Sequence, residues 1–390
     1  MAILQTLVLA RPTMAAFAAM GMMWGSFAAA FPDLKTMLAV DEARMGLLLL
    51  LTPLAAVGAM LMAPRAGAAL GRVALPVATG LMALAFFLPG QAATVWLFPL
   101  AMMACGAMTG LTDVLMNART AQIEHERGLH LMNLSHAAYS FGYAGGALGT
   151  GFLRGLAWAP GEVLGTMAAV ALVLAMATSE RDGRIHGLTR PASAKGQCGG
   201  GLGLVPVVGG GIVLIAFLTE NAAENWSALH IEKSLGGSPE QGAMGPAVLA
   251  LTMGFARLAG QGLTGRVGPF RLLKLGAVVA ALGALIASQA GTPAMAYAGF
   301  IIMGIGSSVI APTAFSLVGR LGPDEARARA VARATLLGYF GYFFGPPVLG
   351  LVAGAFGLRA AFVFAASMLM FVFVLAPLMS RVAKLGGGRR

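Results

Sequence analysis

The sequence predicts an all-α membrane protein with twelve transmembrane helices in two pseudo-symmetric six-helix halves. First, 58% of its 390 residues are hydrophobic and only 11% are charged, and the mean hydropathy is +0.81. No soluble domain of this length tolerates such a composition on its surface. Second, the apolar residues form long continuous runs, whereas β-barrel strands would read as short alternating segments. Third, short motifs recur at about half the chain length.

The apolar runs are each long enough to cross the bilayer, since a helix needs roughly 17–25 residues to span about 30 Å of hydrocarbon. Polar, Gly-rich or Pro-rich segments separate one run from the next and mark the turns. We expect the twelve spans at 11–31, 45–64, 73–89, 94–116, 133–153, 160–178, 204–226, 243–263, 271–289, 293–317, 331–354 and 358–380.

The repeats relate each span to the span six places later. Gly71-Arg72-Val73 after span two returns 194 residues on as Gly265-Arg266-Val267 after span eight. Phe141-Gly142-Tyr143 in span five returns after 199 residues as Phe340-Gly341-Tyr342 in span eleven. Such an offset is typical of two six-helix bundles. We therefore predict an N-terminal bundle over 1–178, a cytoplasmic linker over 179–203 and a C-terminal bundle over 204–390.

The distribution of basic residues predicts the orientation, because Lys and Arg near span ends stay preferentially in the cytoplasm. With both termini cytoplasmic, 21 of the 26 Lys and Arg residues lie on cytoplasmic segments. The net charge of +11 then reflects topology and attraction to anionic lipid, so we expect a bilayer and no nucleic acid as partner. We expect a multi-pass protein of the cell inner membrane, and a monomer. The five basic residues left outside are Lys35, Arg44, Arg154, Lys233 and Arg359.

No pattern in the sequence indicates catalysis or metal binding. Neither a Walker loop, nor a zinc cluster, nor a Ser-His-Asp arrangement is evident, so we expect neither an enzyme nor a metal site nor a bound cofactor. Cys105 lies in a span and Cys198 in a cytoplasmic segment, which predicts no disulfide.

Asp113 is the most informative residue, because it lies within an apolar stretch where a carboxylate costs on the order of 2.5–3.5 kcal/mol to insert. Asn117 follows one helical turn later, on the same face, and can donate a hydrogen bond to the ionised carboxyl. A carboxyl at this depth can take up a proton and release it when water reaches it. Alternatively, a permanent hydrogen bond or a basic residue such as Arg119 holds it as a structural group.

His136 begins a polar face on span five, with Tyr139 and Tyr143 three and seven residues later. A titratable imidazole beside phenol hydroxyls suits a polar substrate or a proton relay. The alternative is an interfacial histidine packed near the lipid headgroups.

Span seven carries Glu220 and Glu224 four residues apart, with Asn221 and Asn225 beside them and Trp226 at the end of the stretch. We expect this segment in the outer half of the span. It either lines an external vestibule as a proton or cation site, or forms the solvated end of a helix that Trp226 anchors at the membrane interface.

Arg257 on span eight has two interpretations. Facing a cavity, it would favour a carboxylate or phosphate substrate; near Gly265-Arg266, it would brace the following loop. Ala311 stands in span ten where Asp113 stands in span four, which predicts that the first half carries the ion coupling.

Twelve spans, two cytoplasmic ends, the duplication and a basic Gly-Arg loop after spans two and eight resemble the major facilitator superfamily over essentially the whole chain. The loop pattern of that superfamily is degraded here to Arg65-Ala66-Gly67 and Gly71-Arg72, without its acidic residue. The resemblance implies an alternating-access transporter. We expect gating contributions from four arginines at cytoplasmic ends, namely Arg72, Arg119, Arg257 and Arg266.

A finer resemblance is to the fucose-permease branch, on Asp113-Val-Leu-Met-Asn117, Met132-Asn133-Leu134-Ser135-His136 and Ser140-Phe141-Gly142. It implies proton coupling with Asp113 as the embedded acid. The second acid of that branch is missing, because Pro32 occupies its place after Trp24-Gly25 and Asp33 comes one residue later. The stretch from Glu220 to Ser227 resembles the YbjJ-type inner-membrane proteins.

We therefore expect a proton-coupled symporter of a small polar solute, sugar or sugar-like, with the proton as coupling ion. The alternatives are a proton-driven exporter of amphipathic compounds, and a membrane protein that binds a ligand without transporting it. The expected coupling residues are Asp113, Glu220 and Glu224. The expected substrate-binding residues are Trp24, Asn117, His136, Tyr139, Tyr143, Asn221 and Tyr339.

Overall fold

The computed structural model describes residues 3–129, 131–186, 188, 203–259, 267–321 and 327–387. These residues are almost entirely helical, as the continuous apolar runs predict. Backbone groups in lipid must be hydrogen-bonded within the segment, and a helix achieves this without a neighbouring strand. The α-helices are α1 Ile3–Met37, α2 Glu42–Leu48, α3 Leu51–Leu70, α4 Ala74–Ala85, α5 Leu97–Arg127, α6 Met132–Gly155, α7 Pro160–Ala177, α8 Val205–Leu235, α9 Pro239–Ala259, α10 Pro269–Ser288, α11 Pro293–Ser307, α12 Ile310–Leu321, α13 Arg327–Phe356, α14 Leu358–Met370 and α15 Val372–Gly387.

Where the structure describes them, the predicted spans correspond to helix. Span three ends in a short 3-10 helix, Leu88–Gln91, and three further spans are interrupted, between α2 and α3, α11 and α12, and α14 and α15. Within the described residues, ten helical stretches are long and apolar enough to cross a membrane. One of them, Glu42–Gln91, contains two predicted spans, while α6 is not among the ten. The polar and glycine residues that make α6 less apolar are the ones the sequence marked as a candidate site.

Several helices are longer than predicted. Span four was expected to end at residue 116 and span seven at 226, but α5 continues to Arg127 and α8 to Leu235. Hydropathy detects only the apolar part of a helix, and both helices continue with polar residues. Each then ends at a glycine with positive φ, Gly128 at 62° and Gly236 at 67°, a conformation that glycine adopts without a steric penalty.

The helices run alternately between two faces of the molecule. The terminal face carries the first residues of α1, and there Arg11 donates a hydrogen bond of 2.6 Å to the carbonyl oxygen of Ser179, just after α7. The opposite face carries the ends of α1, α6 and α8. There Arg359, near the start of α14, donates to the carbonyl oxygen of Ala290 at 2.9 Å.

Glycines bring α1 and α6 into direct backbone contact. A Cβ added to Gly21 or Gly25 would collide with the carbonyl oxygen of Tyr139 or Tyr143, and one added to Gly146 would collide with that of Met22. Small residues at such interfaces are typical of membrane helices, since lipid provides no hydrophobic drive for association. This contact fixes the tyrosines of α6 beside the middle of α1.

Candidate functional site

A cavity of about 940 Å³ lies in the middle of the molecule, between the helices of the two halves. On α6 its lining runs from Tyr143 to Asn133, at the terminal-face end of that helix, and on α9 it runs from Ala250 to Leu258. The cavity therefore extends from the centre toward the terminal face. Its lining combines polar and aromatic residues with methionines, and it includes most of the residues that the sequence singled out.

The opposite end of the molecule is closed by packing between the halves. Phe31 of α1 contacts the fully buried Trp226 of α8, with ring centroids 5.3 Å apart. Gly46 of α2 approaches the carbonyl oxygen of Pro346 of α13 so closely that a Cβ would collide with it. A solute in the cavity is thus separated from the opposite face by protein.

Asp113 lines the cavity and is half-buried. The Asn117 amide donates a hydrogen bond of 3.1 Å to its carboxyl oxygen and a second, of 2.8 Å, to its backbone carbonyl, which confirms the expected contact. The suggested partner Arg119 instead pairs with Glu180 through two hydrogen bonds of 2.9 Å. Within the described part of the chain, Asp113 therefore binds an amide and no guanidinium.

Glu220 and Asn221 face the same cavity from the middle of α8, and both are at least 95% buried. Glu220 Oε1 and Asn221 Oδ1 accept no hydrogen bond from the described residues. Buried acceptors without donors are costly, by roughly 1–3 kcal/mol each, so they indicate a partner that arrives from the cavity.

Glu220 lies at the centre of α8, deeper than expected, whereas Glu224 and Trp226 lie in the second half of that helix, as predicted. Glu224 lines the cavity one turn further on, half-buried. Trp226 is fully buried against Phe31 and is not an interfacial anchor. Because α8 continues nine residues beyond its apolar run, Glu220, Glu224 and Trp226 lie further from the end of the helix than predicted.

Arg257 of α9 also lines the cavity, so it does not serve only as a loop brace. Its guanidinium lies 3.9 Å from Glu220 Oε1, and its side chain is 33% exposed. That separation is too long for a hydrogen bond but gives favourable charge pairing. The Gly265-Arg266 segment, including the predicted gating residue Arg266, lies outside the described residues.

His136, Tyr139 and Tyr143 line the cavity together, as their helical spacing predicts. His136 packs edge-on against Phe17 of α1 at 4.8 Å and does not lie among lipid headgroups. Tyr139 and Tyr143 are neighbours, with ring centroids 6.1 Å apart. The first half of the molecule thus presents one imidazole and two phenols to the cavity.

Aromatic rings from both halves complete the lining. Trp24 of α1 packs edge-on against Phe86 at 5.0 Å, and Tyr339 of α13 lies near Phe217 at 6.1 Å. Phe217 stacks on Tyr342 at 4.6 Å with an interplanar angle of 25°. Phe217 and Tyr342 were not among the predicted site residues, although the duplicated Phe340-Gly341-Tyr342 motif marked the second.

Three predicted residues do not line the cavity: Asn117, Arg72 and Arg119. Asn117 reaches the site only through its hydrogen bonds to Asp113. Arg119 is buried at the terminal face and binds the segment after α7 through Glu180 and the carbonyl oxygen of Asp182. The exposed Arg72 lies on the same face. Their gating roles stay predictions.

A charge cluster at the closed end of the molecule, opposite the cavity mouth, was not predicted from the sequence. The Arg154 guanidinium of α6 donates to both carboxyl oxygens of Asp33 of α1, at 2.7 and 2.6 Å, and to both of Glu232 of α8, at 2.7 and 3.0 Å. It also donates to the carbonyl oxygen of Ala29 at 2.7 Å. We call these three charged residues the Arg154 cluster. The sequence indicated these residues only weakly: Arg154 is an isolated basic residue on the outer side, and Asp33 lies one residue after the position of the second acid in the fucose-permease branch.

The sequence of this chain is similar to those of known membrane proteins. Residues 209–385 match the family model described as Major Facilitator Superfamily. An uncharacterized MFS-type transporter of Yersinia pestis is 28% identical over 378 residues, which cover 95% of each chain.

Two solved structures show the same fold at low identity. A bacterial homolog of the human lysosomal transporter Spinster, inward-facing and unoccupied, has a TM-score of 0.75 at 16% identity and covers 99% of each chain. A mutant of the nucleoside transporter NupG has a TM-score of 0.75 at 13% identity, over 96% of this chain and 99% of its own. The second half of the chain thus matches the family model, and the architecture of the chain is the fold of the major facilitator superfamily.

Proposed function

We propose that this protein is a proton-coupled symporter that carries a small polar solute, sugar or sugar-like, by alternating access. The main support for the proposal is that Asp113, Glu220 and Glu224 all line one central cavity between the halves. Ionisable groups at membrane depth are costly and mark ion and substrate pathways. Proton binding at such a group changes the charge of the site without a cofactor.

Asp113 is the proposed proton carrier, with Glu220 and Glu224 as the other coupling groups. The hydrogen bond from Asn117 orients the Asp113 carboxyl toward the cavity. The polar solute would contact Trp24, His136, Tyr139, Tyr143, Asn221 and Tyr339, all of which line the cavity. The finer resemblance to the fucose-permease branch and to YbjJ-type proteins agrees with symport and belongs to the same proposal.

The orientation follows from the basic residues. With the terminal face in the cytoplasm, the positive-inside rule is obeyed, and the cavity extends toward the cytoplasm, as in an inward-facing state. The proposed location is the cell inner membrane, and the proposed assembly is a monomer of two bundles joined by residues 179–203. No bound cofactor is required, since the proton is the coupling ion.

One observation favours a second candidate, a proton-driven exporter of amphipathic compounds. Methionines from α1, α3, α5 and α9 share the cavity lining with the polar groups, and such side chains adapt to varied apolar ligands. These methionines are Met20, Met60, Met102, Met116 and Met253. A protein that binds its ligand without transport is the third candidate; counterflow of bound solute would exclude it.

The test is proton entry into liposomes that hold the purified protein and a pH-sensitive dye. Sugars, sugar acids and amino acids are added in turn to wild type, to Asp113→Asn and to Asp182→Asn, a matched control at an exposed carboxyl on the terminal face. We expect solute-dependent proton entry in wild type and the control, and none in Asp113→Asn. A signal that persists in Asp113→Asn would move the coupling to Glu220 or Glu224. No signal with any solute, together with dye resistance on overexpression, would favour the exporter.

A further inference from the structure

We propose that the transported solute carries one positive charge, as a hydroxylated amine such as an amino sugar does, and that Glu224 pairs with its ammonium group. This inference deepens the proposed function and rests on it. It concerns the charge of the substrate, which the superfamily fold leaves open. It contradicts the expectation, drawn from Arg257 alone, of a carboxylate or phosphate substrate.

The charges that line the cavity do not balance. Among the described residues that line it, three carboxyl groups, Asp113, Glu220 and Glu224, face one guanidinium, that of Arg257. Arg257 lies 3.9 Å from Glu220 and so offsets that carboxylate. A transported proton on Asp113 would neutralise a second. One carboxylate then remains, and when the cavity closes around the solute its charge must be compensated by a proton or by a cation.

Glu224 is the carboxylate that no described side chain binds directly, although the charges of Glu220 and Arg257 both act on it. It forms no ion pair and no hydrogen bond within the described residues, although Glu220 on the preceding turn has Arg257 and Asp113 has Asn117. Its neighbours across the cavity, Tyr139 and Tyr143, are neutral phenols. A cationic solute would supply the missing charge.

Two buried acceptors lie on α8 beside Glu224. Glu220 Oε1 and Asn221 Oδ1 are buried and receive no hydrogen bond from the described residues. An ammonium group offers three donors and no acceptor, whereas a carboxylate offers only acceptors. An anionic solute would therefore leave these atoms unpaired and add repulsion from Glu224.

The aromatic lining suits the same kind of solute. Phe217 and Tyr342 stack at 4.6 Å on one side, and Tyr139 and Tyr143 lie 6.1 Å apart on the other. Ring faces attract cations, and they also pack against the apolar face of a sugar ring. The volume of about 940 Å³ is large enough for a sugar-sized solute.

The experiment compares amino sugars with neutral sugars that differ from them only in the group at one ring position. Glucosamine, galactosamine and mannosamine are titrated calorimetrically into the full-length protein in detergent at mildly acidic pH, each beside its neutral N-acetyl derivative and parent sugar. We expect at least one amine to bind about tenfold more tightly than its neutral partners, a preference equal to one strong charge contact. No preference for any amine would overturn the inference.

Two variants locate the contact. Glu224→Gln should remove the preference for the amine, while Glu126→Gln, at an exposed carboxyl near the end of α5 that bonds only Gln122, should retain it. If Glu224→Gln does not fold, the wild-type comparison still decides the charge of the solute. Selective amine binding without proton entry into liposomes would contradict the proposed symport and leave this inference standing. Proton entry driven by a neutral sugar would support the proposed symport and contradict the inference that the solute is charged.

Discussion

Arg154 of α6 donates two hydrogen bonds, at 2.7 and 3.0 Å, to Glu232 of α8, and so joins the two halves at the face opposite the cavity mouth. Asp33 of α1 binds the other edge of the same guanidinium. Arg is suited to this position, since its planar fork binds carboxylates bidentately. The proposed alternating access requires this face to open, and that opening would separate Arg154 from Glu232.

The first prediction concerns this cluster. Arg154→Met leaves Asp33 and Glu232 facing each other without a cation, so we expect the free energy of unfolding to fall by about 3 kcal/mol, as for a broken buried pair. The measurement is thermal or denaturant unfolding in detergent.

The control for this prediction is Arg44→Met, at an exposed arginine near the same face. Adding Asp33→Asn and Glu232→Gln to Arg154→Met should restore part of the loss, because the unpaired charges are then gone. Equal stability of Arg154→Met and the control would contradict the assignment.

The second prediction concerns the contact between α1 and α6. A Cβ on Gly146 would collide with the carbonyl oxygen of Met22, whereas a Cβ on the adjacent Gly145 would meet nothing within 4 Å. We expect Gly146→Ala to lower the free energy of unfolding by about 1–3 kcal/mol through overpacking. Gly145→Ala should leave it unchanged or raise it slightly, since Ala favours helix. The unfolding assay described above separates the two, and a reversed order would refute the packing argument.

The third prediction distinguishes two asparagines. Asn221 faces the cavity with a free carbonyl oxygen, and Asn117 instead bonds Asp113 outside the cavity lining. We expect Asn221→Ala to raise the Kd of the solute about threefold to tenfold, the range of one hydrogen bond. Asn117→Ala should reduce proton-coupled uptake with a smaller effect on Kd. Calorimetry and liposome uptake provide the two readings; a larger Kd change for Asn117→Ala would disprove the assignment.

The fourth prediction concerns the aromatic lining. Phe217 stacks on Tyr342 and lies near Tyr339. We expect Phe217→Leu to weaken solute binding by about twofold to tenfold, because the stacked pair loses its ring contact. Phe371→Leu, at a ring 52% exposed on the outside of the molecule, is the matched control. If both substitutions weaken binding equally, the ring stack has no role in the site.

The positions of the spans could be predicted because the relevant physics is local. Crossing the bilayer requires a run of apolar residues, and such a run is visible in the sequence of each helix. The grouping of His136, Tyr139 and Tyr143 on one face was also predictable, since helical periodicity alone decides it. So was the Asp113–Asn117 contact, which spans one turn. Helix ends were less predictable where polar residues extend α5 and α8 beyond their apolar runs.

The tertiary structure decided which charges meet. Arg154 lies 121 residues from Asp33 and 78 from Glu232 in the sequence. Arg257 of α9 lies 3.9 Å from Glu220 of the neighbouring helix α8. Only the packing of α1, α6, α8 and α9 brings these groups together. Hydropathy likewise cannot distinguish an apolar residue against lipid from one against protein, so the burial of Trp226 against Phe31 was not foreseeable. The sequence by itself determined the helices and their polar faces, whereas the pairing of those faces required the fold, because charge and ring contacts depend on distance in space.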